Sequence, residues 1–466
     1  MTKKIKFGTD GWRAIIAEDY TVENLLRVAY ATAQWIKKSD NHSLVLGYDC
    51  RYGGELFTKR IIDVMCSEGI KVYFDKHFVT TPMISLAALK LKTFAGVIVT
   101  ASHNPPTYNG YKLKSGFGGP STEADIKAVE DLIPDTHTQE PVDFKEMEAK
   151  GLLEFVNLED MYFEHVEEHF DLKKINKSNC KLVYDAMYGS GQNIFKRIMP
   201  TAKHLHCEHN PGFYGRAPEP IDKNLQELSK ILKTNDDYHL GLANDGDADR
   251  IGLYNSYGKF IDAHHIILIL IHILHKYQGM TGKVVIAFSA SPKIKKLCKA
   301  YGLEVEVTKI GFKNIAPFMI AEDVLVGGEE SGGIAVKGHI PERDGIWDGL
   351  VILDHIAKHD TTLESLIQEV YDVVGAFAYN RNDLHITNQL KASIIENCKA
   401  GNYKNFGEYV IEETETIDGF KYHLGNERVV MIRPSGTEPV LRVYGEAEDI
   451  DAVNKMLAVV KETILN

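Results

Sequence analysis

Four short polar runs each follow an apolar stretch and hold side chains suited to phosphate, cations or hydroxyls. Thr100-Ala101-Ser102-His103-Asn104-Pro105-Pro106 sets a serine at a strand end, in a turn stiffened by two prolines. Such a turn holds the hydroxyl outward, as a nucleophile or phosphate carrier requires. A plain polar turn has the same composition; a serine-hydrolase elbow is excluded because G-x-S-x-G is missing here. Asn244-Asp245-Gly246-Asp247-Ala248-Asp249-Arg250 places three carboxylates at alternate positions, able to converge on one hard cation. Their mutual repulsion is costly unless a metal or an arginine offsets it, and apolar flanks argue against a solvated acidic turn. An EF-hand fails, since Arg250 replaces the turn glycine and Ser256 the bidentate glutamate. Oxygen-only ligands with room for a phosphoryl oxygen favour Mg²⁺. An aspartyl phosphatase also uses paired aspartates after a strand, but it needs no serine carrier.

The third run, Gly327-Gly328-Glu329-Glu330-Ser331-Gly332-Gly333, lets backbone approach a ligand, while Glu329 and Ser331 offer hydrogen bonds to sugar hydroxyls. Arg433-Pro434-Ser435-Gly436-Thr437-Glu438-Pro439 combines a guanidinium, two hydroxyls and backbone N–H groups near Gly436 into a phosphate cradle. Taken singly, these are also ordinary acidic and hairpin turns. No GxxxxGK[ST] occurs, so the phosphate is not that of a P-loop nucleotide. Together the four runs supply a carrier, a cation site, a hydroxyl reader and a distal phosphate grip, the parts needed to turn a sugar phosphate around.

Elements must bring these runs together. Strand-like runs at Ser43–Tyr48, Ile70–Phe74 and Ala95–Thr100 alternate with helical periods such as Val22–Lys37 and Leu56–Ser67. The pattern repeats with Lys181–Asp185, Leu240–Ala243 and Arg250–Tyr254, then with Val284–Phe288, Leu303–Thr308 and Val324–Val326. A polar stretch from Pro134 to Leu158 reads as a surface crossover, and the character changes after His359, ending in strands Arg428–Ile432 and Val440–Tyr444 and a helix near Asp451–Leu465. The reading is three α/β blocks with mainly parallel sheets plus a smaller α+β tail; strand ends in such sheets are where ligands bind. The 466 residues suit three or four domains, and a net charge of −12 argues against a nucleic-acid partner. Six scattered cysteines without CxxC, no apolar leader and no apolar run long enough for a membrane predict a cytoplasmic protein.

The runs resemble the motifs of the α-D-phosphohexomutase family, in family order and over nearly the whole chain. Gly8-Thr9-Asp10-Gly11-Trp12-Arg13, TASHNPPTYNGYK, DGDADR, the glutamate–serine loop and RPSGTEP all match. The resemblance implies a four-domain heart shape with a central cleft: 1–158 for the serine, 159–277 for the metal, 278–372 for the sugar and 373–466 for phosphate. It implies phosphorylation of Ser102, with Arg13 near it and Lys112 as an active-site base or phosphate contact. The candidates to take the attacking hydroxyl's proton are Lys112 and His103, with support of the loop as the other role for His103. It makes Asp245, Asp247, Asp249 and the Ser102 phosphate the ligands of Mg²⁺. Arg250, Lys313 of Gly311-Phe312-Lys313, Glu329, Ser331, Arg433, Ser435, Gly436 and Thr437 become substrate contacts. Many bacterial members end the sugar loop in a histidine where this chain has Gly333; His339, in His339-Ile340-Pro341-Glu342-Arg343-Asp344-Gly345, is expected to take that imidazole's place, as in phosphoglucomutases. The activity implied is exchange between glucose 1-phosphate and glucose 6-phosphate, with glucose 1,6-bisphosphate as intermediate and activator. Mannose, or both sugars, comes next and glucosamine after that; a phosphatase or an inactive sugar-phosphate binder are the other classes. A monomer or homodimer is expected.

Overall fold

A computed structural model describes residues 4–8, 11–434 and 440–465. Four sheets follow one another along the chain. In the first, Ser43–Tyr48 lies between Ala95–Val99 and Lys71–Phe74, all parallel, and Tyr108–Ser115 returns antiparallel along Ala95–Val99. The second repeats this plan. Lys203–Leu205, Leu182–Asp185 and Leu240–Asn244 run parallel, and Ile251–Asn255 returns antiparallel. In the third, Val305–Thr308, Lys283–Ala287 and Val324–Gly328 are parallel and Ile334–Val336 returns. The central strands are apolar and buried along their whole length, as sheets covered on both faces demand.

Each of the first three site runs is therefore the connection of a hairpin that leaves the last parallel strand and comes back beside it. The fourth run joins Arg428–Pro434 to Val440–Ala447, again antiparallel, within a six-stranded antiparallel sheet backed by helices Asn388–Lys399 and Ile450–Leu465. Helix starts are fixed by local chemistry. Thr80 accepts from the N–H of Met83 at the head of Thr81–Lys90, where Pro82 costs no hydrogen bond. Asp344 accepts from Ile346 and Trp347 at the head of Gly345–His359.

Two features differ from the sequence reading. The Pro134–Leu158 stretch contains helix Phe144–Ala149 and strand Leu153–Phe155, which adds in parallel to the edge of the first sheet. A three-residue edge strand leaves too little alternation to register. The wholly buried helix Ala263–His272 packs on the third sheet's strand Val324–Gly328 and on helices Pro292–Tyr301 and Leu363–Val374. This helix, which the sequence reading did not single out, also touches strand Ile251–Asn255 of the second sheet. No helix among the described residues is long and apolar enough to cross a membrane.

Candidate active site

Ser102 sits at the tip of the first hairpin with φ of 53°, a left-handed conformation that costs a non-glycine residue energy and persists only when the surroundings enforce it. Arg51 does the enforcing. Its buried guanidinium donates to the carbonyls of Ser102, Asn104, Pro105 and Tyr108 at 2.5–3.1 Å, and pairs with Asp49 at 3.3 Å. Asp49 in turn accepts from the Thr100 hydroxyl, which accepts from the N–H of Ser102. Burial lifts the Asp49 carboxyl to about 6 despite Arg51 and these hydrogen bonds. Arg13, on strand Trp12–Ile15, donates to Asn104 at 2.9 Å. His103 Nδ1 is 3.3 Å from Ser102 Oγ, and burial followed by the charges of Arg250 and Arg13 holds the ring well below its ordinary pKa.

The serine hydroxyl donates to Oδ2 of Asp245 at 2.7 Å, so the first two runs meet face to face across 143 residues. Asp245, Asp247 and Asp249 are fully buried and present carboxylate oxygens within 4.8 Å of one another. Burial, then the charges of Asp247 and Asp249, drive the Asp245 carboxyl far above its ordinary value. Cations offset the rest: Lys112 Nζ lies 2.6 Å from Asp247 and 3.0 Å from Asp249, and Arg343 lies 2.8 Å from Asp249. Thr81 donates to Asp247 at 2.6 Å. Oδ1 of Asp249 is buried with no hydrogen-bond partner among the described residues. Oxygen-only donors, burial and that orphaned atom fit a hard divalent cation such as Mg²⁺.

The third run touches the second directly. Gly333 forms a bridge with Arg250, and the N–H of Ile251 donates to Gly332 at 3.0 Å. Glu329 is buried, accepts from the N–H of Gly311 at 2.9 Å, and is lifted by burial to about 7. Ser331 lies half-buried on the same turn. The Nε of Arg250 is buried without a partner among the described residues, a donor suited to an anion. A Cβ at Gly333 would meet Cδ of Arg343 at 2.6 Å, so the arginine fills the space into which a side chain there would point.

His339 does not join this group, contrary to the sequence expectation. Its ring stacks on Trp347 at 3.8 Å and 8°, its Nε2 is 2.9 Å from Asp344 and its Nδ1 3.3 Å from His165. Both nitrogens are committed to protein partners, which leaves none for a sugar hydroxyl. The same segment instead ties domains together. Glu342 pairs with Lys114 at 2.7 Å, with both side chains wholly buried, and accepts from Ser85; Gly345 donates to Ala248 of the aspartate run. Lys313 forms an ion pair with Glu123 of the first domain, so it spans from the third domain to the first.

Arg433 stands at the end of its strand, donating to Asp418 at 3.2 and 3.4 Å; Asp418 also accepts from the N–H of Ile310 in the third domain. Arg442 lies directly opposite Arg433 across the strand pair. Two guanidiniums in register repel unless an anion lies between or beside them. Ser435, Gly436 and Thr437 lie outside the described residues, as do Thr9 and Asp10. Arg51, Arg343 and Arg442 were missed by sequence reasoning. Their signal is weak: Arg51 and Arg343 are single arginines in loops and Arg442 lies within a strand, and none stands out until its spatial neighbours are known.

Sequence profiles described as phosphoglucomutase/phosphomannomutase alpha/beta/alpha domains I, II and III and C-terminal domain match residues 4–140, 160–258, 262–374 and 388–463. The chain is 29% identical to a phosphoglucosamine/phosphogalactosamine mutase of Sulfurisphaera tokodaii, over 98% of each chain. It is 27% identical to a phosphoglucomutase/phosphomannomutase of Thermococcus kodakarensis, over 97% of this chain and 96% of that one. A solved structure from Thermus thermophilus, described as a candidate phosphomannomutase, aligns over all of both chains with TM-score 0.88 and 30% identity. Four domain profiles in order, a fold shared end to end and a serine hydroxyl set against three aspartates lead to one conclusion: the chain belongs to the phosphoglucomutase/phosphomannomutase family, the α-D-phosphohexomutases, whose members are intramolecular phosphotransferases.

Proposed function

We propose that the chain moves a phosphoryl group between O1 and O6 of a hexose phosphate through a phosphate carried on Ser102, with glucose 1-phosphate and glucose 6-phosphate as its first pair. The contact of 2.7 Å between the Ser102 hydroxyl and Asp245 carries the reading, because it sets the carrier against the cation site. When bound by Asp245, Asp247, Asp249 and an oxygen of the phosphoserine, Mg²⁺ supplies positive charge against the transferring phosphoryl group.

The substrate's own phosphate occupies the grip of Arg433, Ser435, Gly436 and Thr437. Glu329 and Ser331 hold ring hydroxyls O3 and O4. O6 of glucose 1-phosphate attacks phosphorus in line, the bond from phosphorus to Ser102 Oγ breaks, and glucose 1,6-bisphosphate results. Lys112, Arg13 and Arg250 meet the charge spread over the equatorial oxygens. The attacking hydroxyl loses a proton and Oγ gains one; Lys112 and His103, the latter with Nδ1 3.3 Å from Oγ, are the candidates to take up the first and hand it on. The bisphosphate then turns around, its two phosphates exchange places, and Oγ takes the phosphoryl group from O1. Glu329 and Ser331 must hold the ring both ways, which suits readers of O3 and O4. The same pair is indifferent to the configuration at C2, so mannose phosphate is the second reading.

The test is a coupled assay of purified protein with glucose 1-phosphate, Mg²⁺ and a trace of glucose 1,6-bisphosphate, with mannose 1-phosphate and glucosamine 1-phosphate run in parallel. Glucose 6-phosphate should form fastest. Release of inorganic phosphate without isomerisation would mean a phosphatase, and binding without turnover an inactive binder. We also place the protein in the cytoplasm, on its six free cysteines, which suit a reducing compartment.

A further inference from the structure

The first helix of the second domain, Leu158–His169, ends in His165-Val166-Glu167-Glu168-His169. Spacing of three and four residues puts His165, Glu168 and His169 on one face within a single turn. One ligand atom from each lies within 4.8 Å of the other two. The phosphoryl transfer described above uses none of the three.

Hydrogen bonding decides which ring nitrogens keep their lone pairs. Nδ1 of His169 is 2.8 Å from the carbonyl of His165, so it donates, and Nε2 is left as the acceptor. The second ring is set by a longer chain that starts at Asp344. That carboxylate accepts from the N–H groups of Ile346 and Trp347 and from the Tyr162 hydroxyl, which is the pattern of an anion. Nε2 of His339, at 2.9 Å, must therefore donate to it. Nδ1 of His339 can then accept from Nε2–H of His165 at 3.3 Å. The lone pair of His165 is left on Nδ1, the nitrogen 3.8 Å from Oε2 of Glu168. Trp347 lies against both rings of this relay and limits their rotation.

We propose that His165, Glu168 and His169 form a second metal site, for a borderline transition ion such as Zn²⁺, Co²⁺ or Cu²⁺, with His339 and Asp344 as the relay that orients His165. Two imidazoles and one carboxylate suit such ions and not Mg²⁺, while the oxygen-only trio at Asp245 has the opposite preference. Bonds of about 2.0 Å in tetrahedral geometry set ligands roughly 3.4 Å apart, so the three must draw together slightly. Glu168 is exposed and can swing inward, while His165 and His169 are held by their hydrogen bonds and by Trp347. A fourth position faces solvent. The chain of aspartate, histidine, histidine and metal extends the usual arrangement in which a carboxylate aligns a ligating imidazole. It also joins the second-domain helix to the third-domain segment that carries Arg343.

Electron paramagnetic resonance of Cu²⁺ added to the full chain, with Mg²⁺ in excess at the aspartates, reads the ligands directly. The expected spectrum shows coupling to two nitrogens. His169→Ala should lose one of them and weaken binding by about 10-fold or more. Glu168→Gln should weaken binding while keeping both nitrogens, and both variants should keep the parent's Mg²⁺-supported activity, which also verifies that they fold. His339→Asn should weaken binding with the nitrogen count intact, as a relay predicts. An unchanged spectrum and affinity in His169→Ala would overturn the site.

Discussion

Around Ser102 the groups that set its position are sealed in protein, while around Arg433 they are open. Lys112, Asp247 and Asp249 are wholly buried, and loops from three domains lock together through Ser102–Asp245, Thr81–Asp247 and Arg343–Asp249. Arg433 and Asp418 remain about a quarter exposed, 23% and 26%, and Asp418 is tied to the third domain by the N–H of Ile310. The physical demands explain the difference. The phosphoryl transfer proposed for the first centre depends on charges fixed in place before the reaction, which suits groups buried and tied to one another. The phosphate grip proposed at Arg433 would have to accept either end of a bisphosphate and then let go, which half-solvated ion pairs, each weak, suit better.

The largest expected effect is at the first centre. Ser102→Ala should lower kcat by about 10³-fold or more, since no other nucleophile replaces the hydroxyl. Near-normal turnover in that variant would end the assignment of the carrier. Next comes the weld between domains. Glu342→Gln removes the wholly buried carboxylate that faces the Lys114 ammonium and should cost about 3–5 kcal/mol in urea unfolding. A loss below about 1 kcal/mol would show that water reaches this contact and that the first centre is less sealed than its burial implies.

Smaller changes belong at the grip. Arg433→Lys keeps the charge but loses the fork, and should raise KM about 10-fold with kcat changed less. If kcat falls as far as in Ser102→Ala, the contrast between the two regions fails. A separate effect, read in stability and not in turnover, is a pH-dependent one at Glu329, whose carboxyl burial raises from 4.5 to about 7. A carboxyl raised in the folded state stabilises fully only below its unfolded value, and that contribution drains away as pH climbs to about 7. Glu329→Gln, still able to accept from Gly311, should therefore gain thermal stability over the parent between pH 4.5 and 7, then hold a constant gap. A gap independent of pH would place the glutamate in water.

The three central strand sets were legible because buried parallel strands are unbroken apolar runs, as at Ala95–Val99 and Leu240–Asn244. In the last domain, Ala378–His385 and Tyr409–Glu415 escaped notice, since charged and polar residues dominate both strands and leave little apolar alternation. The site divides the same way. Ser102 and the three aspartates announce themselves by type and spacing within a few residues. Arg51, Arg343 and the Glu342–Lys114 pair do not, and His339 was assigned to the sugar when Trp347 and Asp344 hold it.

By itself, then, the sequence determined which chemistry-bearing residue types stand together in each run and that each run ends an apolar strand, because both are local patterns. Tertiary structure alone decided which of them meet. Ser102 reaches Asp245 across 143 residues, and Lys112 reaches Asp249 across 137. Contacts at such separations leave no periodicity in the chain; they exist only because three hairpins, each turning at the end of its own buried sheet, are packed against one another.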